Sequence, residues 1–125
     1  MSRFARKFYS ADLHFGHHGI IRHCPATRPF EGVEQMDAAI IANINERVGK
    51  QDILYVIGDF ALAADPAYVR HLFHEIRGRK VLILGNHDMD KKGRLLKTLR
   101  YLPWDQPPAA ALETTDEGCR LYLHH

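Results

Sequence analysis

The sequence predicts an α/β fold, and three observations support this prediction. Strand-like and helix-like segments alternate along most of the chain, which is typical of a sheet that is at least partly parallel. The segment Ile53 to Ile57 is continuously apolar, as in a strand that is covered on both faces. Two short strand-like segments near the end of the chain predict a hairpin. The hairpin indicates either a mixed sheet or two sheets that pack together.

The first half of the chain is predicted to contain two strands and one long helix. Phe4 to Ala11 forms the first strand, because its aromatic residues have high β-propensity, and Ile20 to His23 forms a short helical turn. Val33 to Val48 is the clearest helix, since apolar residues recur along it at helical spacing. Asp52 to Ile57 is the second strand and ends in Gly58-Asp59.

The second half continues the alternation. Asp65-Pro66 is a favourable helix start, because Asp accepts hydrogen bonds from the first turn and Pro suits the first helical position. The remaining predicted elements are a helix that Gly78 ends, a strand from Lys80 to Leu84, a basic amphipathic helix from Lys91 to Tyr101, and the strands Ala109 to Thr114 and Arg120 to Leu123, joined by a turn at Asp116-Glu117-Gly118.

Length and composition limit the possible functions. The 125 residues suffice for a single domain with a real core. A net charge of +2 is too small to indicate nucleic acid or anionic membrane as a partner. Cys24 and Cys119 match no metal spacing, so they are expected to be free thiols. With no apolar segment of membrane-spanning or signal-peptide length, a cytoplasmic location is expected, as a monomer or a homodimer.

Polar side chains follow each predicted parallel strand at the point where the strand ends. Asp12 and His14 follow the first strand, Asp59 the second, and the tetrad Gly85-Asn86-His87-Asp88 the third, while His124 ends the last strand. Ligands bind outside the carboxyl ends of strands in α/β folds. Alternate residues of an extended segment share a face, so Asp12 and His14 are able to point at one ion.

The chemistry of these residues predicts divalent metal ions. Mixed nitrogen and oxygen ligands suit Mn, Fe, Zn, Co or Ni better than calcium, which prefers an all-oxygen cage. Asp59 offers two carboxylate oxygens and is able to bridge two cations. Two ions about 3.5–4 Å apart form the hydrolytic site of many phosphatases and nucleases. Of these metals, manganese is favoured.

The order of these motifs resembles the calcineurin-like metallophosphoesterases, whose signature is Asp-x-His, then Gly-Asp, then Gly-Asn-His-Asp. More narrowly, four segments are similar to the small bacterial and phage members of that family: Asp12-Leu13-His14-Phe15-Gly16-His17, Ile20-Ile21, Arg28-Pro29-Phe30 and Gly58-Asp59-Phe60. The resemblance implies two mixed β-sheets packed as a sandwich and flanked by helices. It also implies a reaction in which a metal-bridging hydroxide hydrolyses a phosphate ester.

The resemblance also implies a role for each residue. Asp12 and His14 bind the first metal, Asp59 bridges both metals, and Asn86 and His124 bind the second. His87 stabilises the phosphoryl group or protonates the leaving group, and Asp88 orients the His87 imidazole. His17, Arg22 and Arg28 are candidates for binding the substrate, because an Arg guanidinium suits a phosphate group.

One motif of the family is missing from this sequence. Family members carry a further Gly-His-x-His after the lone histidine, and this chain ends at His125 before any such motif. The chain is therefore expected to be a C-terminally truncated form, with His17, His18, His125 or water as substitutes for the missing ligands. The expected function is hydrolysis of a phosphomonoester or phosphodiester, in a small molecule or a nucleotide. The alternative is a degenerate member that acts as a metal- or phosphate-binding module, and a nuclease is disfavoured by the charge.

Overall fold

The computed structural model describes residues 5–62 and 64–125. Its elements, in chain order, are the strand β1 (Lys7–Ala11), the helices α1 (His18–His23) and α2 (Val33–Arg47), β2 (Ile53–Ile57), α3 (Pro66–Glu75), β3 (Arg79–Ile83), a single 3-10 turn (Asn86–Asp88), α4 (Lys97–Arg100), β4 (Ala111–Asp116) and β5 (Cys119–His124). Phe4, the predicted start of the first strand, lies outside the described residues. The predicted α/β alternation is confirmed.

The strands form two sheets, each of a single kind in the described part of the chain. β1, β2 and β3 are parallel and lie in that order, so β2 is central. β4 and β5 pair antiparallel as the predicted hairpin, and Glu117 and Gly118 at its turn both have positive φ, as a tight two-residue turn requires. The expectation of mixed sheets therefore does not describe these five strands. A parallel bridge between Ile83 and Ala109 connects the segment before β4 to β3.

The parallel sheet is covered on both faces, as its apolar strands predict. Side chains alternate between the two faces of a strand, and the core follows this alternation. Leu54, Val56 and Leu82 pack in a cluster with residues of the helices, whereas Tyr55 and Val81 pack with the hairpin residue Leu123. The helices thus lie on one face of the sheet and the hairpin lies on the other.

The predicted helix from Lys91 to Tyr101 is wrong for its first half, because α4 spans only Lys97–Arg100. The Asp90 carboxylate accepts hydrogen bonds from the backbone N–H groups of Lys92 (2.8 Å) and Arg94 (3.0 Å). Asp competes in this way with helical hydrogen bonding. The segment before α4 therefore forms a turn in which leucine side chains still pack against the core.

Two further sequence predictions concern cysteine and membrane segments. Cys24 and Cys119 are exposed free thiols, as predicted. Across residues 5–62 and 64–125, none of the helices has the length and apolar character needed to cross a membrane.

Lys80 is a buried cation that is expected to make stability depend on pH. Its ammonium donates hydrogen bonds to the carbonyl oxygens of Ile76 (2.7 Å) and Gly78 (2.9 Å) and lies 4.6 Å from the centre of the Phe73 ring. Burial lowers the pKa of Lys80 to about 8, whereas the unfolded chain holds this proton to about pH 10.4. Between these values the unfolded state binds more protons, so the free energy of unfolding rises with pH.

We expect a rise of about 2 kcal/mol between about pH 8 and pH 9.5, at roughly 1.4 kcal/mol for each pH unit. Urea denaturation at a series of pH values in this window measures the slope. Lys80→Met is the comparison, because it keeps an aliphatic chain under Phe73 and removes the titrating group. An equal slope in Lys80→Met and in the parent protein would show that another group is responsible.

Candidate metal centre

The polar residues that follow β1, β2 and β3 meet at one edge of the parallel sheet. Ala11, Ile57 and Ile83 are in register at the ends of these strands, so the residues after them begin at the same height. Asp12 follows β1 directly, Asp59 lies just beyond β2, and His87 lies on the 3-10 turn after β3. The sequence predicted this convergence from the carboxyl ends of the strands.

Three of the candidate ligands have an unusual backbone conformation. Asp12 (φ 54°), His14 (φ 54°) and Asp59 (φ 53°) are left-handed, and Glu117 in the hairpin turn is the fourth such non-glycine residue in the described chain. Only a few per cent of non-glycine residues adopt positive φ, and such residues concentrate at functional sites. Backbone hydrogen bonds from Asp12 N–H to the Gly58 carbonyl (3.1 Å) and from His14 N–H to the Asp59 carbonyl (3.0 Å) hold the strained segments together.

The Asp59 carboxylate lies at the centre of the site. Its Oδ2 atom is 3.0 Å from His87 Nδ1, 3.6 Å from His14 Nε2 and 3.7 Å from His125 Nε2, and the side chain is 6% exposed. The His87 backbone N–H donates to Oδ1 at 2.9 Å. Burial raises the pKa of Asp59, but the hydrogen bonds from His87 outweigh burial and hold the pKa below its usual value. Asp59 is therefore an anion at neutral pH.

The candidate ligand atoms form two groups that share Asp59. One group contains His14, Asp59 and His87, and the other contains Asp12, Asp59 and His125; within each group the ligand atoms lie within 4.8 Å of one another. His125 Nε2 is 2.9 Å from Asp12 Oδ1, and this hydrogen bond raises the pKa of His125. Mixed imidazole and carboxylate donors fit divalent transition metals.

The surroundings of His14 favour the neutral form of its imidazole, which is the form that binds a metal. Its side chain is 11% exposed, and burial lowers its pKa despite the opposing effect of Asp59. A metal ion binds imidazole through the lone pair of a neutral ring. At neutral pH this ring therefore offers a nitrogen lone pair without first losing a proton.

Gly85 permits the close approach of the loops after β2 and β3. A Cβ atom at this position would lie 2.6 Å from Asp59 Oδ1 and 2.7 Å from the Asp59 backbone nitrogen, which is closer than real Cβ atoms come. The glycine that begins the predicted tetrad is thus required by packing against the central carboxylate.

Asp88 makes its hydrogen bonds to backbone groups and not to the His87 ring, to which the sequence interpretation assigned it. Its carboxylate accepts hydrogen bonds from the backbone N–H groups of Asp59 (2.8 Å), Phe60 (2.9 Å) and Gly85 (2.7 Å). The side chain is completely buried. The 3-10 turn places Asp88 so that it folds back on the start of its own loop, and it therefore joins the loops after β2 and β3.

His124 does not lie in either group of candidate ligands, and the structure brings His125 there instead. The His124 ring stacks on Tyr122, with ring centres 6.3 Å apart and planes at 7°, and Tyr122 is 67% exposed. Residues two apart in a strand share a face, so His124 points outward with Tyr122. His125 was one of the substitutes that the sequence suggested. Asn86 is exposed at the start of the 3-10 turn, and its role as a ligand stays a prediction.

The three residues predicted to bind substrate have different surroundings. Arg28 donates hydrogen bonds to the backbone carbonyls of Asp12 (2.6 Å) and Leu13 (3.0 Å), so it braces the loop that carries the first ligands. His17 Nδ1 lies 3.0 Å from His14 Nδ1, and the two rings are stacked. Arg22 is exposed in the last turn of α1.

Asp37 is a supporting residue that the sequence reasoning missed. It lies on α2, is completely buried, and accepts hydrogen bonds from Gly16 N–H (3.1 Å) and the Tyr68 hydroxyl (2.6 Å). Burial raises its pKa, although these two donors oppose the rise. A signal was present in the sequence, because Asp37 adjoins Met36 on the apolar stripe of the predicted helix.

Comparison with known proteins relates the chain to longer proteins. No family model matches it. The chain is 40% identical over 126 residues to the uncharacterized protein MJ1445 of Methanocaldococcus jannaschii, and the alignment covers 96% of this chain and 69% of MJ1445. It is 31% identical over 83 residues to the Gene 66 protein of Mycobacterium phage L5, with 65% of this chain and 39% of that protein covered.

A solved structure is also similar. The crystal structure of AQ665, a protein of unknown function from Aquifex aeolicus, matches with a TM-score of 0.75 and 31% sequence identity. The match covers 98% of this chain and 61% of AQ665. The chain therefore spans less than two thirds of the length of AQ665.

Proposed function

The chain belongs to the family of the uncharacterized protein MJ1445 of Methanocaldococcus jannaschii, and we propose that it is a binuclear metal-dependent phosphoesterase. Its substrate is a phosphomonoester or phosphodiester in a small molecule or a nucleotide, and manganese is the favoured metal. We also propose the two-sheet sandwich of the calcineurin-like metallophosphoesterases as its fold and the cytoplasm as its location. The packing of the hairpin on the parallel sheet supports the sandwich fold. The free thiols support the cytoplasmic location, because thiols stay reduced there.

The observation that carries the proposal is the sharing of one buried carboxylate between two groups of ligands. Asp59 belongs to both groups, so its carboxylate would help to hold an ion in each of them. Three imidazole nitrogens surround its Oδ2 atom within 3.7 Å. A turn aspartate with only a structural role has no need of three histidines around it. Two divalent cations held by these residues would supply the Lewis acidity that activates water near neutral pH and offsets charge on the phosphoryl oxygens.

His87 has the position of a group that acts on the substrate. Its Nδ1 atom lies 3.0 Å from Asp59 Oδ2, and its ring is 43% exposed. In this role the ring pairs with Asp59 and is not itself a metal ligand, and its Nε2 atom would face a phosphoryl or leaving-group oxygen. Asp59 holds the ring orientation, which is the role that the sequence interpretation gave to Asp88. Backbone donation from His87 N–H to Asp59 Oδ1 keeps the two residues in a fixed relation.

The experiment titrates metal-free protein with Mn²⁺ and measures hydrolysis of p-nitrophenyl phosphate and bis(p-nitrophenyl) phosphate. Turnover that appears only with Mn²⁺ supports the proposal. Metal binding without turnover of either ester supports the alternative of a metal-binding module, and the absence of metal binding overturns both the phosphoesterase and the metal-binding module.

Adjacent histidines provide a matched pair of variants for the same titration. His125→Ala removes a nitrogen from the second group and is expected to weaken Mn²⁺ binding by about 10-fold or more, since even indirect partners of a metal site contribute about 10–100-fold. His124→Ala removes an exposed ring stacked on Tyr122 and should leave binding unchanged. The reverse result would restore His124 as the ligand and remove His125 from the site.

A further inference from the structure

We infer that His17 is a positioning residue that holds the His14 imidazole in the tautomer required for metal binding, an inference that rests on the proposed metal site. The evidence is an unusual contact between the two rings. Their Nδ1 atoms lie 3.0 Å apart, and the rings stack with centres 5.2 Å apart and planes at 23°.

The contact requires a single shared hydrogen. A neutral imidazole has one N–H and one nitrogen lone pair. Two facing nitrogens at hydrogen-bond distance are attractive only when one of them donates and the other accepts. One of the two Nδ1 atoms therefore carries the hydrogen. Burial lowers the pKa of both histidines, and the His14 ring lowers the pKa of His17 further, which is consistent with two neutral rings.

The surroundings of His14 favour the hydrogen on its own Nδ1. Its Nε2 atom is 3.6 Å from Asp59 Oδ2, which is too long for a good hydrogen bond, so a hydrogen on Nε2 would lack a close acceptor there. With the hydrogen on Nδ1, His14 donates to His17 and its Nε2 lone pair points into the group formed with Asp59 and His87. Metal-ligating histidines usually donate their other N–H to a carboxylate or a carbonyl, and here an imidazole has that role.

The local backbone holds His17 in place for this contact. The His17 N–H donates to the His14 carbonyl at 3.1 Å, which closes a tight turn between the two residues. Gly19 makes room for the ring, because a Cβ atom there would lie 2.9 Å from His17 Nε2. Asp37 fixes the intervening Gly16 N–H from the other side. Two hydrogen bonds and the space left by Gly19 thus place the acceptor opposite His14.

The test reads the tautomer directly in metal-free protein with ¹⁵N-labelled histidine, by two-bond ¹H–¹⁵N correlation spectra, and then measures Zn²⁺ affinity by calorimetry. In the parent protein we expect His14 to carry its hydrogen on Nδ1. His17→Phe keeps the stacking and removes the acceptor, so the His14 hydrogen should move toward Nε2 and Zn²⁺ affinity should fall by about 10–100-fold.

Two further variants separate this role from a purely structural one. His17→Asn places a carbonyl oxygen near the position of Nδ1 and should restore both the tautomer and the affinity. His71→Phe makes the same change on the exposed side of α3 and should change neither. An Nε2–H tautomer of His14 in the parent protein, or equal affinities in His17→Phe and the parent, overturns the inference. An Nδ1–H tautomer in a protein that binds no Zn²⁺ supports the His17 contact and overturns the proposed metal function.

Discussion

Asp59→Asn is expected to lower kcat/KM for metal-dependent ester hydrolysis by more than about 100-fold, since loss of a mere supporting residue of a metal site already costs about 10–100-fold. The substitution keeps the shape of the side chain and removes the charge that both ligand groups share. An amide has one oxygen and is a poor bridge between two cations. For the proposed two-metal site, metal binding should fall to one weakly held ion or none.

The stability of metal-free Asp59→Asn should change little, because the amide oxygen still accepts the backbone N–H of His87. Asp105→Asn is the matched control, since Asp105 is a partly exposed carboxylate whose ion pair with Arg79 spans 3.9 Å. Hydrolysis rates, metal content and thermal unfolding of the three proteins give the comparison. Equal hydrolysis by Asp59→Asn and the parent would remove Asp59, and with it the bridging site, from the proposed mechanism.

Asp88→Ala is expected to destabilise the fold by about 3 kcal/mol or more, because three backbone N–H groups lose their buried acceptor and each unsatisfied group costs about 1–3 kcal/mol. The carboxylate joins Asp59, Phe60 and Gly85 from within the core. A loss of this size is a large part of the 5–15 kcal/mol that is typical of a domain. Denaturant unfolding of the metal-free protein measures it.

Two variants sharpen this result. Asp88→Asn keeps one acceptor oxygen, but its amide NH2 group faces a backbone N–H group that the carboxylate accepted. The stability of this variant should therefore lie between those of the parent and Asp88→Ala. Asp90→Ala also removes a carboxylate that accepts backbone N–H groups, but at a partly exposed turn, and should cost about 1 kcal/mol or less. If Asp88 acted only by orienting His87, its substitution would lower activity and leave the free energy of unfolding unchanged.

Local patterns were sufficient to predict most of the elements. The continuous apolar run of β2 and the helical spacing of α2 correspond to elements that the structure contains, because burial on a sheet or a helix face imposes these periods. The helix expected from Lys91 failed because Asp90 accepts backbone hydrogen bonds that a helix would need. The spacing of leucines could not reveal this competition, since the same leucines pack from a turn.

The supporting contacts of the site were harder to predict than its members. The sequence interpretation assigned Asp88 to the His87 imidazole and overlooked Asp37. Both carboxylates are completely buried and accept backbone N–H groups of the loops that carry ligands. Gly16 lies 21 positions from Asp37, and Asp59 lies 29 positions from Asp88. A carboxylate that serves a distant backbone amide leaves no periodic pattern in the sequence.

The sequence by itself determined which residue types follow each parallel strand, and therefore that Asp12, His14, Asp59 and His87 collect at one edge of the sheet. Only the tertiary structure decided which atoms meet there. His125 meets Asp12 in a contact across 113 positions, whereas the alternation of β5 points the predicted ligand His124 outward. His14 turns one nitrogen to Asp59 and the other to His17, since left-handed backbone at His14 sets a direction that no local propensity encodes.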